Sequence, residues 1–450
     1  MAPRNLGWAS IARLGLVQAA LGAVVALTTS TLNRLMVVEV ALPAVVPGAL
    51  VTLHHAMQLL RPRMGHGSDQ GRRSTPWIIG GMATLSLGGL LAAVATAWMS
   101  TQLVPGLLLA VVAFALIGGG VSASGTSLLV LLAKRVAAER RAAAATVVWM
   151  LMIAGLGLSA TLSGKMLEPY SGLRLVAVAA GVSGIALLLT LLGIWGVEGD
   201  DARPAPGAEV DRDGAPGFRE ALSQVWQDPG ARRFTLFVFV SMIAYSAQDL
   251  ILEPFAGSRF GFSPGASTRL SGTQHGGVFT GMLLVALVTQ LAKGTAAASL
   301  KRWVVGGCLA SAVAMSGLVF AGLTERDWPL KENVFVLGIA NGAFSMAAIG
   351  AMMALASKGG DAREGVRMGL WGASQAIAFA AGGALGTVLA DLSRLLIGSS
   401  AAAYAVVFGI EVVGFVGAAV LAMDVPFPDA SSRRRAPGGV DGAGIERGAA

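Results

Sequence analysis

Residues Arg61–Arg73 read RPRMGHGSDQGRR, a charged, glycine-rich stretch held between two long apolar runs. Gly65, Gly67 and Gly71 permit the tight backbone of a short turn. Asp69 is able to accept charge-assisted hydrogen bonds from a helix N-terminus or from arginines of neighbouring helices. Arg72 and Arg73 stand where the second apolar run begins, as headgroup anchors do. The stretch reads as a turn between two membrane spans. A plain anchoring turn and a turn with a conformational role both fit it.

The composition agrees. Of 450 residues, 54% are hydrophobic and 13% charged, where a soluble domain carries about 25% charged residues. The net charge of +8 is not a nucleic-acid signature, because the positive residues sit in short loops between apolar runs. Cys308, the single cysteine, excludes an internal disulfide and a cysteine-based metal site. The N-terminal MAPRNLGWASIAR runs into the first apolar stretch with no small-residue cleavage site, so the first span is expected to remain as an anchor.

A span needs about 20 apolar residues. Twelve are predicted, at 14–33, 41–60, 76–98, 104–132, 143–164, 173–196, 234–254, 276–292, 302–323, 333–356, 367–390 and 400–423. Residues 198–232 are acidic and rich in Pro and Gly, as a linker is, with a short surface helix expected near Phe218–Trp226. The expected organisation is an N-terminal six-helix half (1–197), the linker (198–232), a C-terminal half (233–423) and a disordered tail (424–450). With the N-terminus inside, 25 of the 33 Lys/Arg face the cytoplasm. The outer loops hold the other eight, Arg34 and His275's neighbour Arg269 among them. Both termini and the linker are then cytoplasmic.

The halves echo each other. LLAKRVAAERRAAAATVVWM, ending at Met150, and ALASKGGDAREGVRMGLWGA, ending at Ala373, each set a basic, small-residue loop before a span carrying Trp149 or Trp371. Lys301–Arg302 stand near the place of Arg72–Arg73. The predicted fold class is an all-α membrane protein of twelve transmembrane helices in two pseudo-symmetric six-helix halves, the major-facilitator plan.

Ionisable groups inside a membrane are functional candidates. His54 and His55 lie deep in the second span, with Gln58 one turn on from His54. A neutral imidazole can ligate a metal through one ring nitrogen; the alternative is an interhelical hydrogen bond. Adjacent residues point about 100° apart on a helix, so at most one histidine faces a given ligand. His66 reads as solvated or salt-bridged, and His275 is expected at the outer end of the eighth span, facing the interface. Gln248, Asp249 and Glu253 form either a polar rim on a central cavity or a cap on the seventh span. Asn33 and Asn341 are further cavity candidates, and Glu411 lies well inside the twelfth span. Gly118–Gly120, Gly155 with Gly157, and Gly382 with Gly386 allow close helix approach. The first and fourth spans hold no mid-membrane acid, which proton-coupled symport normally needs. No Walker loop, zinc cluster or catalytic triad is present, so an enzyme is not expected.

Leu53–Gly81, LHHAMQLLRPRMGHGSDQGRRSTPWIIGG, resembles the PucC-like family of major-facilitator-type proteins from phototrophic bacteria, also called the bacteriochlorophyll delivery family. The opening Leu6–Val51 is similar, particularly Asn33–Met36 with Glu39 just beyond. The resemblance runs through most of the membrane region and fades in the linker and tail. The turn also resembles the general major-facilitator signature but departs from it: Gln70 stands where a basic residue usually follows the aspartate, and the arginines come one residue early. The GHGSD form resembles the branch associated with peripheral antennae.

The resemblance implies a factor for light-harvesting antenna assembly in the photosynthetic inner membrane. It would deliver bacteriochlorophyll to antenna polypeptides or chaperone them, with membrane lipid around it and bacteriochlorophyll synthesis enzymes as further partners. Bacteriochlorophyll would be cargo, not a tightly bound cofactor, with its magnesium at His54 or His55. A secondary transporter of a small amphipathic solute or pigment precursor is the alternative, and a chaperone that never touches pigment is a third reading.

Overall fold

The computed structural model describes residues 6–60, 73–198, 223, 226–292, 295–324, 327–357 and 361–427. The turn residues Gly65, Asp69 and Arg72 and most of the linker lie outside them, as does most of the short helix expected near Trp226. The described residues form twelve long helices and no strand. They are α1 (Trp8–Glu39), α2 (Val45–Met57), α3 (Thr75–Met99), α4 (Leu103–Arg135), α5 (Ala138–Met166) and α6 (Gly172–Ile194). The second set is α7 (Pro229–Phe260), α8 (Pro264–Leu291), α9 (Leu300–Leu323), α10 (Leu330–Ser357), α11 (Asp361–Ile397) and α12 (Ser400–Met423). Ten are long and apolar enough to cross a membrane, while α2 is apolar but shorter. Leu108, Leu188 and Val313 are exposed on the outside of the bundle, as a lipid-facing surface requires. Exposed Trp8, Trp98 and Trp195 sit at helix ends, the position of an aromatic belt.

Each half has its own apolar core. Within the first, α1 packs on α5, α2 on α4 and α3 on α6; within the second, α7 packs on α11, α8 on α10 and α9 on α12. Adding six to each helix number of the first set gives the second, so the internal repeat of the sequence is a repeat of packing. The halves meet along α5 with α8 and α2 with α11, pairs related by the same operation.

Several helices outrun their predicted spans, for one physical reason. A hydropathy reading stops at the first charge, but a helix continues when that charge is satisfied. α1 continues past 33, so Arg34 is not in an outer loop. It is buried in the helix, donating to Glu39 and to the carbonyl of Phe262. α1 carries two π turns, Leu27–Thr31 and Leu35–Glu39. Thr28 and Thr29 return their hydroxyls to Val24 and Val25 carbonyls there, loosening the regular ladder. α7 runs to Phe260, six residues beyond the predicted end, so Asp249 and Glu253 are interior groups and not a surface cap. α8 begins at Pro264, twelve residues early.

The α7–α8 turn is specified locally. Gly261 closes α7 with φ +65°, a conformation that favours glycine. Ser263 then caps α8, its hydroxyl accepting from Ala266 N at 3.2 Å, with Pro264 in the first turn. Two carboxylates serve helix N-termini elsewhere. Glu198 accepts from the Ser74 and Thr75 amides at the start of α3. Asp391 on α11 accepts from Ala44 and Val45 N at 3.0 and 2.7 Å, which ties the second half to α2. Arg73 is exposed just before α3.

Candidate functional site

The described contacts between halves gather at the bundle end away from the chain termini, here the far end. Backbones of α5 and α8 touch there: a Cβ on Gly164 would lie 2.6 Å from the Gly265 carbonyl oxygen. Just beyond, Glu168 accepts from Arg269 at 2.8 and 3.0 Å and from the Ser263 hydroxyl at 2.7 Å. Deeper in, the Thr31 and Thr268 hydroxyls meet at 3.1 Å, Ser271 bonds Ser30 at 3.3 Å, and Asn33 Nδ2 donates to the Leu250 carbonyl. These bonds form a polar seal across the seam.

The Arg269 guanidinium and the Ser263 hydroxyl hold the Glu168 carboxyl below its usual 4.5. A carboxylate with a lowered pKa supports the closed far end fully above that ordinary value, and the support is lost as pH falls through the lowered one. We expect a spin-label distance across the far end to lengthen on acidification through the carboxylate range. Glu168→Gln should remove that response; an unchanged response in the variant would mean another group carries it.

On the terminal side of the seal lies a cavity of about 250 Å³ between the halves. Its wall is mostly apolar and soft: Trp149, Met152, Phe234, Met242, Tyr245, Met352 and Phe379. Flat aromatic faces and adaptable thioethers suit an apolar guest. A few polar groups interrupt the wall, chiefly His55, Asp249, His275 and Gln375. This is the usual make-up of a ligand cavity: apolar lining with few placed polar groups.

The two histidines of α2 part ways. His54 is buried toward α4, where its carbonyl meets Gly118, and it does not line the cavity. His55 lines it, its ring 5.7 Å from that of Phe379. Gln58 joins them, its amide nitrogen 3.1 Å from His54 Nε2 and 3.2 Å from His55 Nδ1. An amide NH₂ only donates, so both contacted ring nitrogens accept.

Of the other candidates, only Asp249 lines the cavity, with the Gln274 amide beside it. Gln248 is fully buried outside the lining. Glu253 is also buried, accepting from Thr268 at 3.4 Å. Asn341 accepts from Ser311 Oγ at 2.8 Å, between α9 and α10. Glu411 is buried in α12 within the field of Asp249. Trp149 and Trp371 have diverged: the first lines the cavity, while the second is buried against Phe234 and donates to Thr235 at 3.1 Å. Among the described residues no three His, Cys, Asp or Glu converge to hold a metal ion.

His275 corrects the sequence expectation. It lies in the middle of α8, not at its outer end, and lines the cavity. Its Nδ1 is 2.8 Å from the Ser271 carbonyl. A signal for it exists in the sequence. Ser267, Ser271, Gln274 and His275 follow helical spacing and form one buried polar stripe. Starting the span at 276 hid that stripe.

The chain matches the family model described as PUCC protein over residues 31–429. It is 51% identical over 421 residues to the "Bacteriochlorophyll synthase 44.5 kDa chain" of Rhodobacter capsulatus, covering 94% of this chain and 96% of that one. It is 28% identical to "Protein PucC" of Rhodovulum sulfidophilum, covering 88% and 87%. Among solved structures it resembles a bacterial homologue of the human lysosomal transporter Spinster, with TM-score 0.66 and 14% identity, covering 92% and 95%. A bacterial homologue of the human drug peptide transporters gives TM-score 0.67 at 14% identity, covering 92% and 97%. At that identity the likeness shows the fold, which is the major-facilitator fold of an integral membrane protein. The chain belongs to the PucC family.

Proposed function

We propose that this protein is a membrane carrier that holds bacteriochlorophyll, or a close precursor, and supports assembly of light-harvesting antenna complexes in a bacterial inner membrane. The carrying observation is the cavity between the halves, walled by aromatic rings and methionines with few polar groups. A planar macrocycle with an apolar tail needs such a wall, whereas a small hydrophilic solute needs more hydrogen-bonding partners. The name borne by one relative, the bacteriochlorophyll synthase 44.5 kDa chain, supports the same pigment class. The reading assigns no bond-making step to this chain: pigment-making enzymes would supply it and antenna polypeptides receive from it. With the termini cytoplasmic, the seal faces the outside and the cavity lies on the cytoplasmic side.

A second reading, secondary transport of an amphipathic solute, draws on one observation. The cavity is sealed at one end by bonds that cross the seam, the arrangement that alternating access requires.

The test is to purify the tagged protein in mild detergent from phototrophically grown cells, then record its absorbance and identify what accompanies it by mass spectrometry. A near-infrared bacteriochlorophyll band with antenna polypeptides is the expected result. Antenna polypeptides without pigment would replace the carrier with a chaperone. A colourless protein alone that drives solute uptake into liposomes would replace it with a transporter.

A further inference from the structure

We propose that Asp249 and Glu411 form a proton-binding site in the core of the second half, which exchanges protons with the cavity through Asp249. The site does not depend on what the cavity carries.

Three rings fix the geometry. Tyr245 on α7, Phe344 on α10 and Phe415 on α12 meet edge to face, with successive centroids 6.4 and 5.9 Å apart. One helical turn from each ring, toward the far end, stand Asp249, Asn341 and Glu411. Residues three or four apart share a helix face, so these polar side chains come together as the rings do. The register of α7 on α12 agrees. A Cβ on Gly414 would lie 3.0 Å from that of Ala244, and nearer the far end Phe255 packs on Phe408 at 5.2 Å. Glu411, midway between Phe408 and Gly414, falls level with the middle of Ala244–Phe255, where Gln248 and Asp249 stand. Asp249, Asn341 and Glu411 each lie eleven residues from the far end of their helices, roughly 15 Å in at 1.5 Å per residue.

The groups at this level are short of partners. Glu411 is 3% exposed, and neither carboxyl oxygen has a hydrogen-bond partner among the described residues; nor has Asp249 Oδ1. Asn341 is fully buried, gives Oδ1 to Ser311 of α9 and leaves Nδ2 unbonded. Gln248 is fully buried with both amide atoms unbonded. Buried polar groups are nearly always bonded, so this many at one level mark a binding site.

Its occupant is positive. Arg34 faces Glu253, further along α7, and among the described residues no cation faces Asp249 or Glu411. The remaining titratable neighbours are committed or uncharged. They are Tyr245 on α7, Tyr404 on α12, His275 on α8, its Nδ1 on the Ser271 carbonyl, and Asp391 on α11, bonded to Ala44 and Val45. Two carboxylates side by side in a low-dielectric interior repel, and neither is tolerated there without compensation. A proton supplies it, and the pair then titrates as one unit. The described residues bring no third acid to the site, which favours a proton over a metal ion. Asp249 lines the cavity and Glu411 does not, so protons enter and leave by Asp249.

The test is infrared spectroscopy of the full-length protein in an ester-free detergent at neutral pH, where exposed carboxyls are ionised. Wild type should show a protonated-carboxyl C=O band that moves to lower frequency in deuterium oxide and disappears in alkali. Asp249→Asn combined with Glu411→Gln should lose the band, while Glu253→Gln should keep it. A second measurement needs no variant. Dicyclohexylcarbodiimide, an apolar reagent for protonated carboxyls, should modify Asp249 or Glu411 in wild type, located by mass spectrometry. The assignment is overturned if wild type lacks the band, if the double variant keeps it, if Glu253→Gln alone loses it, or if the reagent modifies neither acid. Replacing choline chloride by sodium chloride at fixed pH should leave the band unchanged; its loss would make the occupant a sodium ion and end the proton assignment.

Discussion

Replacing Gly265 by leucine is expected to hold the two halves apart at the far end. A Cβ at this position would collide with the Gly164 carbonyl oxygen and come within 2.5 Å of Glu168 Cγ. Both neighbours are poorly placed to yield, since one is backbone and the other is fixed by Arg269 and Ser263. Overpacking of this kind costs about 1–3 kcal/mol. Because the cost falls on the seam and not within either half, it is charged to the sealed conformation. A shift of about 1.4 kcal/mol is tenfold in population. The readout is thiol labelling at Thr268→Cys, a buried position on the seam. The native Cys308 is fully buried and gives a quiet background. Labelling should rise about tenfold when Gly265→Leu is added. No rise would mean that the α5–α8 contact accommodates a side chain without opening, and that the halves do not part there.

Arg34→Ala is expected to cost the most stability of any single change in the seal. Arg34 is 2% exposed and binds across the seam to the Phe262 carbonyl, as well as to Glu39 on its own helix. Its charge also faces the buried carboxyl of Glu253. Breaking a buried pair by removing one partner costs about 3–5 kcal/mol, because the other partner stays behind. Glu39 is 37% exposed and regains water, which places the expectation near the lower end, about 3 kcal/mol. Arg34→Lys should recover only part, since a single ammonium does not reproduce the fork that reaches Glu39 and Phe262 together. The check is the thermal unfolding midpoint in detergent. A variant as stable as wild type would show that water, not Arg34, satisfies the Phe262 carbonyl and Glu253.

The seal and the cavity show where sequence reasoning stops. Apolar runs placed all twelve helices, and the paired loops around Trp149 and Trp371 pointed to a doubled architecture. The ends went astray at Arg34, Glu253 and Ser267–His275, where polar residues continue a helix because tertiary or helix-internal partners satisfy them: the other half for Arg34 and Ser271, the same half for Glu253 and His275. Hydropathy along one strand of chain has no access to a partner such as Phe262, 228 positions away. The same blindness made His54 and His55 equivalent and hid His275.

What this sequence determined by itself is the number and order of its helices, since burial of apolar side chains in hydrocarbon depends on composition and length. It also carried its family likeness, in Leu53–Gly81 and Asn33–Met36. The tertiary structure decided which way each helix turns about its axis. One residue is a rotation of about 100°, and that angle sends His54 toward α4 and His55 into the cavity. Position along the axis separates Asp249, at the cavity wall, from Glu253, one turn further along the same face and bonded to Thr268. Rotation is set by how small residues such as Gly164 and Gly265 let neighbouring helices approach, a property of pairs of helices and not of either one.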